Sequence, residues 1–560
     1  MTDLDGALRE HFGFPGFRPG QREACAAAAQ GRDVLVVMPT GAGKSLCYQL
    51  PALMRDDVSI VVSPLVSLMQ DQVEALRARA PGRVALVNAQ QDAAANRAAV
   101  AAAAAGRLRL LYVAPERFSA PGFVDALRRV PVGLFVVDEA HCVSQWGHDF
   151  RPDYFRLADA ARYVGAAAIF ASTATATPQV AGDIVRRLAL RRPARVTTGF
   201  DRPNLSFAVV ACAGGADKRH RLAAALRSPD ALPAIVYAGT RATAEALAAQ
   251  LSTELGLEAL AYHAGLGRAE RAEAQRRFMA GEAPVVVATN AFGMGIDKAD
   301  VRTVAHAAVP GSVEAYYQEA GRAGRDGRPA RCLLLAERRD KGLHVFFIER
   351  ARVDDGELGR LAAALELRAA GGSFDVSLVE LAGLAGCEAD RVRALVGHLA
   401  RAGVVRPAPA AADRVRGRMQ GPFDRRALAA CRDSAGEAER ARWRQYRAVW
   451  AFVEGGGCRR QAILRHFGDR AAPAPAGPCC DVCDPSVAPQ PLRRPAAAAA
   501  GELDAAILEV VGSARPAVGR TRAVEILRGG RSQAIARHSY DGLPGYGAFS
   551  HLRAEEVMAR

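Results

Sequence analysis

From residue 1 to about residue 340 the chain repeats one pattern: a short apolar run, a longer amphipathic stretch, then another run. The first set is "DVLVVMP" (33–39), "VSIVVSP" (58–64), "RLRLLYVAP" (107–115), "VGLFVVDEA" (132–140) and "AAAIFAST" (166–173). Strands that are apolar throughout are buried on both faces, as in a parallel sheet covered by helices. "FDRPNLSF" (200–207) interrupts the alternation and reads as a linker. A second set follows: "PAIVYAG" (233–239), "LEALAYHAG" (257–265), "PVVVATN" (284–290) and "VRTVAHAAV" (301–309). The pattern predicts two doubly wound α/β domains in tandem, over residues 1–200 and 201–342.

Beyond residue 345 the periodicity is helical. "SLVELAGLAGCEADRVRALVGHLARAGVV" (377–405) has two apolar helical faces around a glycine-containing turn. It fits a winged-helix or helix-turn-helix unit, or equally a plain helical packing module, since no base-reading residue stands out. The expected order is a helical insertion with this unit at 343–440, a cysteine-bearing module at 441–485, a Pro/Ala linker at 486–500 and a small domain at 501–560.

The formal net charge is +15, and residues 401–470 hold sixteen arginines against seven acidic residues. Such a balance suits a polyanionic partner, or else a surface kept soluble by arginine. Only four lysines occur (Lys44, Lys218, Lys298 and Lys341), so a lysine is informative where it stands. No segment reaches the ~18 consecutive apolar residues of a membrane span. The acidic start lacks a signal-peptide apolar region, which predicts a cytoplasmic protein. Of eleven cysteines, seven are scattered and read as buried thiols, and four cluster near the C-terminus.

"MPTGAGKS" (38–45) ends a strand and opens a helix. Glycines there let backbone N–H groups turn around phosphates, with Thr40, Gly41 and Gly43 in the loop. Lys44 can reach the β- and γ-phosphates and Ser45 can hold Mg²⁺. In "LFVVDEAH", Asp138 can hold Mg²⁺ through water and Glu139 can deprotonate the attacking water. In "SVEAYYQEAGRAGRDG" (312–327), Gln318, Arg322 and Arg325 share one face if the helix continues that far. Their guanidiniums can then brace a γ-phosphate across a domain gap. In "FGFPGFRPGQREA" (12–24), Gln21 could pair with adenine, Phe14 could stack on it and Arg18 could reach a phosphate.

Two constellations remain. Trp146, His148 and Phe150 follow the carboxylates directly, in a polar, glycine-bearing stretch that suits an exposed loop. Cys458 precedes "GPCCDVC", which supplies Cys479, Cys480 and Cys483. Four thiolates in a cytosolic chain favour Zn²⁺, either as a four-cysteine site or as three thiolates completed by His466 or water. Adjacent cysteines on one metal imply a strained backbone.

In combination, "FRPGQ", "TGAGKS", "VVSPLVSLMQDQV", "LYVAPERF", "DEAH", "STAT", "IVYAGTR", "YHAGL", "ATNAFGMGIDKADVR" and "YYQEAGRAGRDG" resemble the RecQ family of DNA helicases. The ring loop and "CRR" before the cysteine cluster extend the resemblance, which is close over 1–340 and 455–485 and looser over 501–560. It implies two RecA-like domains, then a helical and zinc-binding module and a partial winged helix that ends before its hairpin wing. It also implies ATP- and Mg²⁺-dependent unwinding of DNA with 3′-to-5′ polarity in recombination and repair. The expected substrates are single strands and tailed or junction duplexes. The expected setting is the nucleoid, beside a single-stranded-DNA-binding protein and other repair proteins. By the same resemblance Trp146, His148 and Phe150 face single-stranded DNA, and hydroxyls of "STAT" with Thr289 and Asp297 tie DNA contact to domain closure. Arg442, Arg444 and Arg447 are expected to hold duplex phosphates. DEAH also occurs in RNA helicases, the competing reading.

Overall fold

A computed structural model describes residues 3–560 apart from 65, 89, 120–121, 145–153, 155–156, 293–297, 409–412, 490–499, 531, 544 and 551. Trp146, His148, Phe150 and Asp297 lie outside the described residues.

The first sheet holds β1 (Val34–Val37), β2 (Val58–Val62), β3 (Val84–Val87), β4 (Leu110–Val113), β5 (Val132–Val137), β6 (Ala168–Thr173) and β7 (Ala194–Thr197). Their order is β3-β4-β2-β5-β6-β1-β7, and every pairing is parallel. The second sheet holds β8 (Leu205–Cys212), β9 (Ala234–Tyr237), β10 (Ala259–Tyr262), β11 (Val285–Ala288), β12 (Thr303–His306) and β13 (Ala330–Glu337). Its order is β10-β11-β9-β12-β13-β8, again all parallel. Each apolar run quoted from the sequence is a strand. β3, β7 and β13 are strands beyond the quoted runs, and β8 starts inside the stretch read as linker, at Leu205.

This topology places the chemistry. β6 separates β5 from β1, so the DEAH segment and the phosphate loop leave the same sheet edge one strand apart. In open parallel sheets ligands bind at the carboxyl ends of the strands. The helix after the loop, Leu46–Met54, is buried nearly all round and is apolar accordingly.

Residues 355–424 form a third assembly. A helix (Asp355–Leu367) leads to β14 (Ser373–Ser377), two helices (Leu378–Ala385 and Ala389–Arg401), then β15 (Val405–Ala408) and β16 (Arg414–Met419). The strands pair antiparallel in the order β14-β16-β15 around a separate apolar core. Helix, strand, two helices and a hairpin is the element order of a winged-helix unit. The long helix Arg425–Glu454 follows, capped by the Asp424 carboxylate on the Ala427 N–H. Its Ala427 and Cys431 belong to the winged-helix core, while Val449, Trp450, Phe452 and Val453 join the core of the α/β domains. A division at 440 therefore falls inside one continuous helix.

Residues 490–560 form a separate compact unit. Helices Ala500–Ser513, Arg520–Leu527, Gln533–Arg537 and Ala554–Met558 pack around Val510, Ile526, Leu527 and Phe549, with no strand among the described residues.

Candidate active site and metal centre

Gly41 and Gly43 both have left-handed backbone, at φ 83° and 78°, which gives the phosphate loop its turn without a side-chain clash. A Cβ on Gly43 would sit 2.6 Å from the Gln21 amide nitrogen. That amide donates to the carbonyls of Ala42 (2.9 Å) and Gly43 (3.2 Å), and its oxygen accepts from the Arg18 N–H (2.8 Å). Gln21 is buried and braces the loop from behind, where the sequence reading had it paired with adenine. Arg18 donates to the Gly41 carbonyl at 2.7 Å. Phe14 is exposed beside Phe12, and both line the cleft.

The Lys44 ammonium donates to the Met38 and Pro39 carbonyls at 3.2 and 3.4 Å. Burial pushes its pKa down, against the pull of Glu139 and Asp138. Burial raises the Asp138 carboxyl to about 6, the neighbouring Glu139 charge adding to the shift. Asp138 accepts from the Ser172 hydroxyl at 2.7 Å, so β6 holds the carboxylate that β5 delivers. Glu139 sits in the left-handed region at φ 49°, a conformation that costs a non-glycine residue about 1–3 kcal/mol. His141 lies 3.3 Å from Glu139 and 3.0 Å from the Thr173 hydroxyl. Ser172 and Thr173 of "STAT" thus fix the carboxylate segment directly.

Both flanks of the ring stretch are anchored. On the near side the Ser144 hydroxyl donates to Asp183 at 2.8 Å. On the far side the buried Tyr154 hydroxyl donates at 3.2 Å to the backbone carbonyl of Asp138 itself.

Gln318 lies on the helix Val313–Ala320, but that helix ends before Arg322 and Arg325, which occupy the turn beyond it. The helical face expected for all three does not form. They converge nonetheless: Gln318, Arg322 and Arg325 line one cleft of about 570 Å³ with Thr40, Gly41, Gly43, Lys44, Ser45, Asp138 and Glu139. The cleft joins a glycine-lined anion cradle, two carboxylates and an ammonium on one domain to two guanidiniums on the other. These donors fit a nucleoside triphosphate with Mg²⁺, Lys44 and the loop N–H groups toward phosphate, Ser45 and Asp138 toward the metal.

One residue of this site escaped the sequence reading. Arg202, in the supposed linker, donates to the Thr40 and Gly321 carbonyls (both 3.1 Å) and to those of Ala323 (3.0 Å) and Gly324 (3.1 Å). Its guanidinium joins the phosphate loop to the arginine turn. Asn204 adds bonds to the Gly324 and Arg328 carbonyls, both at 2.8 Å. The available signal was a charged residue beside proline at the junction of two sheets.

The sulfur atoms of Cys458, Cys479, Cys480 and Cys483 lie within 4.8 Å of one another. Cys458 is 3.6 Å from Cys479 and 3.9 Å from Cys480. A tetrahedral thiolate site with Zn–S of ~2.3 Å needs sulfurs roughly 3.8 Å apart, whereas a disulfide needs ~2.05 Å. Neither Cys479 nor Cys480 has left-handed backbone, so the adjacent pair needs no strain of that kind. His466 lies 2.9 Å from Glu314, and the four cysteines are grouped so that they could hold a metal ion among themselves. The cluster is fastened to edge strand β8: the Phe207 N–H donates to the Cys479 carbonyl at 3.1 Å and the Asp481 N–H to the Phe207 carbonyl at 3.0 Å. Arg459 pairs with Asp481 at 3.1 Å. The fully buried Arg460 bonds Asp201 and the Arg202 carbonyl (2.5 and 2.8 Å).

Arg442 is half-buried against the carboxyl edge of the second sheet, in a pocket with Thr289, His344 and Tyr446, and Arg444 and Arg447 are exposed.

Two parallel-sheet domains facing a cleft suited to a nucleoside triphosphate have the architecture of a nucleotide-driven motor. Residues 18–184 match the DEAD/DEAH box helicase family, 217–327 the helicase conserved C-terminal domain and 417–484 the RecQ zinc-binding family. A probable ATP-dependent DNA helicase RecS of Bacillus subtilis is 39% identical over 366 residues, covering 65% of this chain and 73% of that one. An ATP-dependent DNA helicase RecQ of the same organism is 42% identical over 350 residues, covering 62% of this chain and 58% of that one. Among solved structures, the Mycobacterium smegmatis helicase Lhr bound to ssDNA and AMP-PNP matches with a TM-score of 0.50 at 22% identity, over 78% of this chain and 62% of that one. The chain belongs to the RecQ family of ATP-dependent DNA helicases. It spans less than two thirds of the RecQ relative's length. Among the described residues, no helix is long and apolar enough to cross a membrane.

The cysteine geometry predicts one Zn²⁺ per chain in freshly prepared, unchelated protein, read by elemental analysis. Cys483→Ser should lower the thermal stability of the zinc module while the two parallel-sheet domains stay folded. Protein free of zinc as prepared would refute the assignment.

Proposed function

We propose that this chain unwinds duplex DNA with 3′-to-5′ polarity, using ATP and Mg²⁺, in DNA recombination and repair. Residues 1–200 and 201–342 act as the two motor halves, and the cellular setting is the cytoplasm, at the nucleoid, beside a single-stranded-DNA-binding protein. One observation carries the reading. The stretch holding Trp146, His148 and Phe150 is bracketed by Ser144 and Tyr154, and Tyr154 bonds the backbone of Asp138. Rings that stack on bases at the cost or gain of ~1–3 kcal/mol each would pull on the segment that carries the catalytic carboxylate. Hydrolysis then depends on a bound strand.

Within the cleft, Glu139 takes a proton from the attacking water and His141, 3.3 Å away, holds its orientation. Lys44 and the loop N–H groups stabilise charge on the phosphates. Arg322 and Arg325 close on the transferred phosphoryl group from the second domain. Arg202 links the arginine turn to the phosphate loop, so the two domains already meet at the cleft, and closure tightens the arginine turn onto the nucleotide.

Three outcomes are expected. Lys44→Ala and Glu139→Ala should abolish ATP hydrolysis, and Arg325→Ala should lower it by about 10³ or more; near-parental turnover in Glu139→Ala would remove it as the base. The Trp146→Ala/Phe150→Ala pair should lose most DNA stimulation of hydrolysis while the DNA-independent rate persists. Strand displacement should proceed from 3′-tailed and forked duplexes and not from 5′-tailed ones. Stronger stimulation by a matched RNA strand than by the DNA strand would favour an RNA substrate.

A further inference from the structure

The winged-helix unit carries a charged face that the motor does not use. On the outer side of its sheet, residues two apart along each strand point the same way. That side presents Arg414, Arg416 and Arg418 from β16, Arg406 from β15, and Ser373, Asp375 and Ser377 from β14. The inner side is apolar: Phe374, Val376, Val405 and Val415 are buried in the unit's core. Gly417 lies between them, where a Cβ would meet the Arg406 carbonyl and the Phe374 ring, both at 2.6 Å. The hairpin is therefore drawn tightly onto the core, and its arginines are held outward on a rigid support.

The charges on this face do not balance. Asp375 is the one carboxylate on the outer positions of these strands among the described residues; it stands opposite Arg416 and is bonded by Arg414, with Nε 2.6 Å from the carboxylate and Nη2 2.7 Å from the Asp375 carbonyl, while Asp413 and Glu380 also act on Arg414. Arg406 and Arg418 stand directly opposite each other across the strand pair. Like charges in that position destabilise a sheet. Both are exposed, and Arg418 donates to the Ser373 hydroxyl at 3.2 Å. Arg416, the next cation along β16, stands about 7 Å away, two residues on. An opposed guanidinium pair on a rigid, water-facing sheet is relieved by an anion placed between them. A regularly charged polyanion would meet all three cations.

We propose that Arg406, Arg416 and Arg418 form a second nucleic-acid site that holds the phosphate backbone of duplex DNA. It is separate from the ring stretch after Glu139 and independent of base sequence. The proposal rests on the DNA-directed reading above. It moves the duplex grip from Arg442, Arg444 and Arg447 to the sheet face of the winged-helix unit.

The test is the salt dependence of blunt-duplex binding by the full chain. Each phosphate contact contributes about 0.9 to the slope of log affinity against log salt. The Arg406→Gln/Arg416→Gln/Arg418→Gln variant should lose about 2 to 3 of that slope, and its ratio of duplex to single-strand affinity should fall. The matching Arg→Lys triple variant, which keeps the charge, should recover most of the slope. Thermal unfolding of both variants shows whether the unit is intact. An unchanged duplex slope in a folded Gln variant overturns the proposal, as does equal weakening of single-strand and duplex binding. Recovery of an acidic protein on this face, with duplex binding unaltered, also overturns it. A parent protein that binds no DNA would instead defeat the DNA-directed reading itself.

Discussion

The Arg202 guanidinium, spread over four backbone carbonyls, is the contact on which the motor's geometry depends. One carbonyl belongs to the phosphate loop and three to the turn that carries Arg322 and Arg325. Arginine suits this task because its planar fork presents several donors at fixed angles. Burial lowers its pKa from the ordinary value. Each bond to a charged donor is worth about 1.5–3 kcal/mol at most. The larger consequence is positional: the two halves of the nucleotide site share one anchor, and neither can shift without disturbing it.

That anchor is itself held from below. Phe200 stacks on Phe467 at 4.4 Å between centroids, and its carbonyl accepts from the Tyr317 hydroxyl at 2.8 Å. Asp201 pairs with buried Arg460, which follows Cys458 and Arg459 at the start of the zinc module. A buried ion pair is weak evidence of stability, because desolvation offsets much of the attraction. Here the pair does something more specific, which is to place one segment on another. The cysteine cluster, the junction and the cleft form a chain of contacts only a few residues long. The cysteine cluster is thus linked to the junction between the two parallel-sheet domains although it lies outside the cleft.

Much of this was legible in the sequence. Apolar runs without alternation gave the two parallel sheets, because burial on both faces leaves no polar positions. The phosphate loop, the DEAH carboxylates and the cysteines were legible because their chemistry demands those residue types at those spacings. What was missed has a common cause. Arg202 and Tyr154 work through backbone carbonyls, and a carbonyl has no letter in the sequence. The winged-helix hairpin was hidden because β16, "RVRGRM", places arginine where a solvent-facing strand tolerates any polar residue. The helix expected to carry Arg322 and Arg325 ended at Ala320, where two glycines within four residues favour a turn. The small domain beyond residue 500 offered only short amphipathic segments, and it folds as short helices.

The most direct test of this account is the rate of the hydrolysis step in Arg202→Lys, measured in single turnover with saturating ATP and a single-stranded oligonucleotide. The substitution keeps the charge and removes the planar fork. Nucleotide affinity should stay within a few-fold of the parent, since Arg202 bonds the loop backbone and not the cleft. The hydrolysis step should slow by about 10²-fold, the cost of misplacing a reacting constellation by roughly 1 Å. A hydrolysis step as fast as the parent's, in a protein that binds ATP normally, would contradict the claim that this guanidinium aligns the two halves of the site.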